Sequence, residues 1–272
     1  PPSPRPASAG PHGLRVSIVV LGEGRGHLTQ ALALAEHLRR ARHEVVSVHL
    51  GTTELRPVPA YFEQGMGVEV QRHEAAMLVP DRAHGHIDGV ATARRAVLRL
   101  PALVRSGFAV ARQLRAVRPD VIVHLYDLVG ALACAVQLPG IPRVTLAHNY
   151  LVEHRAAGPL PSGAAGGMGL RLLSAANALG ARAVLGLSFD PLAAQGRLRT
   201  APPLLRSSLE QLEIRDDGFL LAYALNPGYA RRIAQWQRTR PEVEVHCFVE
   251  GGARAIEGGT RAIDGAGLPP TG

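Results

Sequence analysis

The chain has 272 residues and a net charge of +8, which rests wholly on arginine because the sequence contains no lysine. This length allows one large domain or two domains of ordinary size. Aromatic residues, which serve as base-stacking platforms, make up only 4% of the chain, and this argues against nucleic-acid binding. No segment resembles a transmembrane helix or a signal peptide, so we expect a cytoplasmic protein.

The amino-terminal region combines a tail with a βαβ pattern. Residues 1–13 are rich in proline and glycine and are predicted to be a disordered tail. The apolar run at 16–21 predicts a strand, the loop that follows is rich in glycine, and residues 45–50 predict a second strand. Between them, the helical spacing places one set of apolar side chains on one face: Leu28, Ala31, Leu32, Ala35 and Leu38. Alternating strands and helices predict an α/β protein with a parallel sheet.

The glycine loop matches neither of two familiar phosphate-binding motifs. A dinucleotide fingerprint needs the spacing G-x-G-x-x-G and an acid about 20 residues later, whereas here the glycines are 22, 24 and 26. A P-loop needs a lysine, which this chain lacks. The pattern G-x-G-x-G-H at a strand-to-helix turn still predicts backbone N–H groups facing an anion. A tight turn with His27 as an ordinary first-turn residue of the helix is the alternative.

The segment GEGRGHLTQALALAEHLRRARHEV resembles the first loop and helix of glycosyltransferases of the GT-B fold, which has two Rossmann-like domains. The closest resemblance is to a bacterial family-1-like branch. The chain is more distantly similar to plant glucosyltransferases and to the enzyme that adds N-acetylglucosamine to the lipid-linked peptidoglycan precursor. The resemblance implies that His27 is the general base for an acceptor hydroxyl, a role suited to imidazole. It also implies an acceptor-binding loop of Gly22, Glu23, Gly24, Arg25 and Gly26.

Two further strand ends carry polar residues. Asp127 follows the predicted strand 119–125, and the resemblance places a catalytic aspartate there, before the Gly140-Ile141-Pro142 turn. His148 and Asn149 follow the strand 143–147 and are predicted to bind the acceptor, since ligands of open parallel sheets bind beyond the carboxyl ends of strands. The alternatives are that Asp127 only caps the next helix and that His148 and Asn149 only satisfy a turn.

Two other groups of charged residues could form a binding surface or a metal site. Arginines recur among apolar residues over 94–118, without an acid, and predict a basic amphipathic helical region interrupted near Pro101. This region could lie peripherally on an anionic membrane or pack on the sheet with its arginines in water. Asp81, His84 and His86 form a loop that is more typical of solvent than of a metal site. We therefore expect no metal and no cofactor beyond a nucleotide-sugar substrate.

The predicted domain organisation is an acceptor-binding Rossmann-like domain over 14–190, a linker over 191–206 and the beginning of a second Rossmann-like domain over 207–250. The resemblance places the donor phosphates at Asn226 and Gly228. Residues 251–272 are predicted to be an irregular tail, so the chain looks truncated in its donor domain. The resemblance implies transfer of a sugar from a nucleotide-sugar donor to a glycan or glycolipid acceptor. Two alternatives remain: a non-catalytic acceptor-binding subunit that needs a partner donor domain, and a protein resembling nucleotide-sugar epimerases.

Overall fold

The computed structural model describes residues 13–23, 25–52, 58–79, 88–157, 163–224, 227–249 and 261–263. The chain divides into two compact units. The first contains the residues up to Met77 and Leu98–Gln211, and the second contains Leu78–Val97 and the residues from Leu212. Several sequence predictions concern residues outside the described ranges: the tail at 1–12, Gly24, the Asp81, His84 and His86 group, and Asn226.

The first unit is built on a parallel sheet of seven strands. In chain order these are β1 (Arg15–Leu21), β2 (Glu44–Thr52), β3 (Val70–Glu74), β4 (Val121–Leu125), β5 (Arg143–Ala147), β6 (Ala183–Leu187) and β7 (Leu198–Ala201). Their spatial order is β3-β2-β1-β4-β5-β6-β7, with every neighbouring pair parallel. The chain order reverses between β1 and β4, so the switch point, where open α/β sheets bind ligands, lies at the carboxyl ends of these two strands.

The helices of this unit connect the strands in the α/β manner. They are α1 (Arg25–Arg40), α2 (Ala60–Met66), α3 (Gly89–Val117, of which the residues from Leu98 belong to this unit), α4 (Leu128–Gln137), α5 (Gly163–Asn177) and α6 (Ser207–Glu210), together with short 3-10 helices at His148–Glu153 and Arg155–Ala157. The predicted interruption of α3 is wrong, because Pro101 lies inside a continuous helix. Pro101 lacks only one backbone donor, and the following turns are fixed in place by the buried Val110, Ala111 and Leu114.

The core forms where α1 packs on the sheet. The apolar face predicted for α1 is buried, with Leu28 and Leu32 each 1% exposed, and it packs against Val20, Val48 and other residues of β1 and β2. Burial of each of these leucines contributes about 2 kcal/mol to the stability of the fold. This packing fixes the start of α1 next to the carboxyl end of β1. Within the described part of the chain, no helix has the length and apolar character needed to cross a bilayer.

Two stretches differ from the sequence prediction. The predicted linker at 191–206 instead contributes β7, which pairs with β6 through Leu198, a buried residue. A strand of four residues is too short to show a periodic pattern, which is why it was missed. In the predicted irregular tail, Arg261–Ile263 forms a strand, β10, while the rest of that tail lies outside the described residues.

The second unit contains a smaller parallel sheet. It begins with β8 (Phe219–Ala224), continues through α7 (Pro227–Arg238) to β9 (Glu244–Val249), and adds β10 in the order β10-β9-β8. The βαβ pattern expected from residue 219 is therefore present. Its packed interior includes Ala224, Ala230 and Cys247.

Candidate active site

The loop between β1 and α1 contacts the carboxyl end of the neighbouring strand β2. The N–H of Gly22 donates a 2.7 Å hydrogen bond to the carbonyl of Gly51 at the end of β2. A Cβ at position 22 would lie 2.8 Å from that carbonyl oxygen, so the close approach requires glycine. Gly26, in contrast, is exposed and has open space where a Cβ would be. The part-buried Glu23 and Arg25 complete the described part of the predicted acceptor loop.

His27 lies in the first turn of α1 at the switch point of the sheet. Only 9% of the residue is exposed, and its buried Nε2 has no hydrogen-bond partner. The ring is nearly parallel to two other rings: that of Tyr126, at a centroid distance of 6.0 Å and an angle of 7°, and that of His148, at 5.8 Å and 17°. An imidazole with one free nitrogen and a fixed plane is able to accept a proton in one defined direction.

The surroundings of His27 keep its imidazole neutral. Burial, followed by the nearby His148, lowers the pKa of His27 from 6.5 to about 4. The side chain of Asn149 and the backbone of Glu23 act in the opposite direction and favour the protonated ring. Since Nε2 has no hydrogen-bond partner, we assign the hydrogen bond with the Glu23 backbone to Nδ1. The neutral ring therefore carries its free lone pair on Nε2.

Asp127 is fully buried and is engaged away from His27. Its Oδ1 accepts hydrogen bonds from the N–H of Gly130, at 2.6 Å, and from Nε2 of His73 on β3, at 3.2 Å. Its Oδ2 has no partner and lies against Gly51, where a Cβ would be 1.8 Å away. Burial alone would raise the pKa of this carboxyl, but His73, the Gly130 N–H and His124 together hold it below its ordinary value. Asp127 thus caps α4, as the alternative interpretation predicted, and also pairs with His73.

The turn from β4 to α4 is held by His124, which the sequence analysis did not single out. Nε2 of His124 lies 2.6 Å from the carbonyl oxygen and 3.1 Å from the N–H of Asp127, so one buried ring spans the turn. Within this turn Tyr126 has a left-handed backbone, with φ of 57°. Its hydroxyl is 2.8 Å from Oγ of Ser174 on α5. Tyr126 was also missed as a site residue, because nothing in the sequence shows that a left-handed residue would aim its ring at His27.

His148 and Asn149 occupy the first two positions after β5. His148 is exposed and Asn149 is part-buried, and the Oδ1 of Asn149 makes no hydrogen bond of regular geometry. Burial of part of its ring lowers the pKa of His148. The structure therefore brings together His27, His148 and Asn149 with Tyr126, while Asp127 is hydrogen-bonded to His73. Gly228 is the second residue of α7 in the other unit.

Comparisons with known proteins agree with this architecture. No protein-family model and no curated protein matches the sequence. Among solved structures, the glycosyltransferase SsfS6 of Streptomyces sp. SF2575 is similar with a TM-score of 0.51 and 14% identity, over 92% of this chain and 71% of that chain. The spinosyn rhamnosyltransferase SpnG is similar over 93% of this chain and 71% of its own, with a TM-score of 0.49 and 16% identity. MurG of Acinetobacter baumannii is similar with a TM-score of 0.46 and 14% identity, over 89% of this chain and 62% of that chain. The chain has the fold of the GT-B glycosyltransferases.

Proposed function

We propose that this chain transfers a sugar from a nucleotide-sugar donor to a hydroxyl group of a glycan or glycolipid acceptor, with His27 as the general base. One observation carries the proposal: the buried Nε2 of His27 has no partner and lies at the switch point of the sheet. The fold is shared with SsfS6, a protein described as a glycosyltransferase. In sugar transfer, an unpartnered imidazole at this position would remove the proton of the acceptor hydroxyl.

The chemistry assigned to His27 is removal of one proton. The acceptor oxygen forms a bond to the anomeric carbon, the bond between that carbon and the donor diphosphate breaks, and the acceptor proton moves to Nε2. Only a neutral imidazole can accept this proton, and a pKa of about 4 keeps His27 neutral at physiological pH. Such a pKa also makes the base weak. The Glu23 backbone and the Asn149 side chain compensate in part, since both favour the protonated ring.

Asp127 is assigned an indirect role in this proposal. Because the residue is fully buried and bonded to Gly130 and His73, we infer that it does not touch the acceptor. It fixes the start of α4 and, through the turn that His124 spans, the position of Tyr126. The exposed His148 and the part-buried Asn149, with the loop 22–26, are then the groups proposed to bind the acceptor.

The donor is proposed to bind in the second unit. A helix that begins directly after the carboxyl end of a parallel strand presents free N–H groups and a positive dipole, which suit a diphosphate. The connection from β8 to α7 has this geometry, and Gly228 lies in its first turn. Asn226 is proposed to contribute from the preceding position.

We propose that the protein binds its acceptor at the surface of an anionic membrane. On the part of α3 that belongs to the first unit, Leu98 is 68% exposed, Leu100 56% and Phe108 61%. The exposed Arg105 and Arg112 lie among these apolar residues. Exposed apolar side chains next to arginines suit an interface of lipid tails and anionic headgroups.

Transfer by the purified chain tests the proposed function. The chain is mixed with a panel of nucleotide-sugars and with soluble and lipid-linked glycan acceptors, and release of nucleoside diphosphate is measured. We expect release that requires an acceptor, with a glycosylated product of matching mass. Release that occurs only after a separate donor-domain chain is added would favour the non-catalytic subunit. Interconversion of the donor sugar without an acceptor would favour the epimerase-like alternative.

A further inference from the structure

Tyr126 is fixed on several sides at the end of β4. Its hydroxyl is hydrogen-bonded to Oγ of Ser174 at 2.8 Å, and its ring meets Tyr150 edge-on at a centroid distance of 5.3 Å. The residue is 5% exposed. Its left-handed backbone, with φ of 57°, lies in the turn where Nε2 of His124 contacts the main chain of Asp127. A buried tyrosine with these contacts cannot rotate without breaking them.

The fixed ring lies beside the imidazole of His27. The two planes differ by 7° and the centroids are 6.0 Å apart, which is an offset-stacked arrangement. The groups that act on His27 electrostatically or through hydrogen bonds are His148, Asn149 and the backbone of Glu23. The nearest carboxylate of β4 and α4, that of Asp127, is bonded to His73 and Gly130. The imidazole plane is thus restrained by the hydrogen bonds to Glu23 and Asn149 and by two parallel rings, those of His148 and Tyr126.

We infer that Tyr126 is a positioning residue, which holds the imidazole plane of His27 and keeps water from its face, so that Nε2 points toward the acceptor hydroxyl. The inference rests on the proposed function for its catalytic meaning. The Tyr126 hydroxyl donates no proton in the reaction, since it is engaged with Ser174. What matters is the ring, which therefore has to be aromatic and does not have to be a phenol.

Two substitutions distinguish the contribution of the Tyr126 ring from that of its hydroxyl. Tyr126→Phe keeps the ring and loses the bond to Ser174, whereas Tyr126→Asn removes the ring with a residue that tolerates a left-handed backbone. Arg42→Asn is the matched control, because Arg42 is exposed, has φ of 62° and lies just beyond α1. Thermal unfolding of each variant shows which ones are folded under the assay conditions.

The first measurement is the NMR titration of His27 in the whole chain. Without the Tyr126 ring, water reaches the imidazole, so in Tyr126→Asn we expect the pKa to rise from about 4 by about one unit or more toward its ordinary value. Tyr126→Phe and Arg42→Asn should leave this pKa unchanged. An unchanged pKa in Tyr126→Asn, or an equal rise in Tyr126→Phe, would overturn the inference. If Tyr126→Asn does not fold, Tyr126→Gly takes its place, since glycine also tolerates a left-handed backbone and removes the ring; an unchanged pKa in that variant overturns the inference.

The second measurement is the steady-state rate of sugar transfer. In Tyr126→Asn we expect kcat to fall at least about tenfold, because small misplacements of a reacting group are costly, while KM for the donor stays the same. Tyr126→Phe should restore the wild-type rate. A kcat for Tyr126→Asn equal to wild type would overturn the inference. If wild-type protein transfers no sugar but the titration of His27 shifts as expected, the proposed function fails while the positioning of His27 by Tyr126 stands.

Discussion

Oδ1 of Asp127 lies 3.2 Å from Nε2 of His73, so the one carboxylate at the end of β4 is paired with a histidine of β3 and not with His27. The two partners come from strands that are not neighbours in the sheet, since β2 and β1 lie between β3 and β4. Both side chains are buried. This pairing agrees with the indirect role proposed for Asp127, and the groups that act on His27 are His148, Asn149 and the Glu23 backbone.

The position of Asp127 imposes a requirement on Gly51. A Cβ at residue 51 would lie 1.8 Å from Oδ2 of Asp127, so Gly51→Ala should destabilise the fold by about 2 to 4 kcal/mol, through the displaced carboxylate and its broken bonds. Urea unfolding measures the change. In Gly140→Ala no atom lies near the new Cβ, and the free energy of unfolding should change by less than about 1 kcal/mol.

A double-mutant cycle shows whether the clash is with Asp127. In an Asp127→Ser background, which keeps a capping oxygen, Gly51→Ala should cost clearly less than in wild type. Equal costs in both backgrounds would mean that Asp127 does not occupy this space.

Substitution of Asn149 should change the basicity of His27 in either direction. Asn149→Asp places a carboxylate beside the imidazole and should raise the pKa of His27 by about one unit or more. Asn149→Ala should lower it, because the Asn149 side chain now favours the protonated ring. The titration of His27 is followed by NMR in the three proteins. A pKa of His27 that is the same in all three proteins would show that Asn149 does not act on His27.

Acid should unfold the first unit through its buried histidines. The pKa values of His27, His49 and His124 are each lowered to about 4, chiefly by burial. Between the ordinary value of 6.5 and about 4, the unfolded chain therefore binds protons that the folded chain does not. Stability should fall as pH decreases through this window, by up to about 4 kcal/mol per pH unit for three such groups, and these histidines should have no effect above it.

Urea unfolding midpoints between pH 5 and pH 7 check this expectation. His49→Gln should reduce the slope by about one proton, since His49 is one of the three groups. A midpoint that is the same at pH 5 and pH 7 would contradict the neutral, buried state of these rings.

Membrane binding through α3 should depend on Arg105 and Arg112. We expect the protein to co-sediment with vesicles that contain anionic lipid, and less so as salt rises, because exposed charges are screened beyond about 8 Å at physiological ionic strength. The double substitution of Arg105 and Arg112 to Glu should abolish most of this binding. Substitution of Arg155 and Arg182 to Glu changes the net charge equally on other exposed elements and should weaken binding far less. Equal recovery of the protein with neutral and anionic vesicles would mean that α3 is a solvated helix that does not bind anionic lipid.

Much of the fold was predictable because periodicity and glycine spacing report local structure. The α1 face, β1, β2 and the position of His27 at a strand end all follow from residues 16–50. The strands β3 and β7 were missed because β3 consists mostly of polar residues and β7 has only four residues, so neither forms an apolar run. The pairing of Asp127 with His73 joins residues 54 positions apart through a sheet order that the sequence does not reveal. Tyr126 was missed because its role depends on a left-handed backbone set by the buried His124.

The most direct test of His27 as the base is the rate of sugar transfer by His27→Ala. Loss of a general base lowers turnover by about 10² to 10⁴, and binding of the donor should remain nearly unchanged. His43→Ala is the matched control, since His43 lies just before β2, at the amino-terminal ends of the strands and away from the site, where its Nδ1 accepts a hydrogen bond from the N–H of Leu14. The account predicts a loss of at least about a hundredfold in kcat for His27→Ala and wild-type kcat for His43→Ala. Transfer by His27→Ala at the wild-type rate would contradict it.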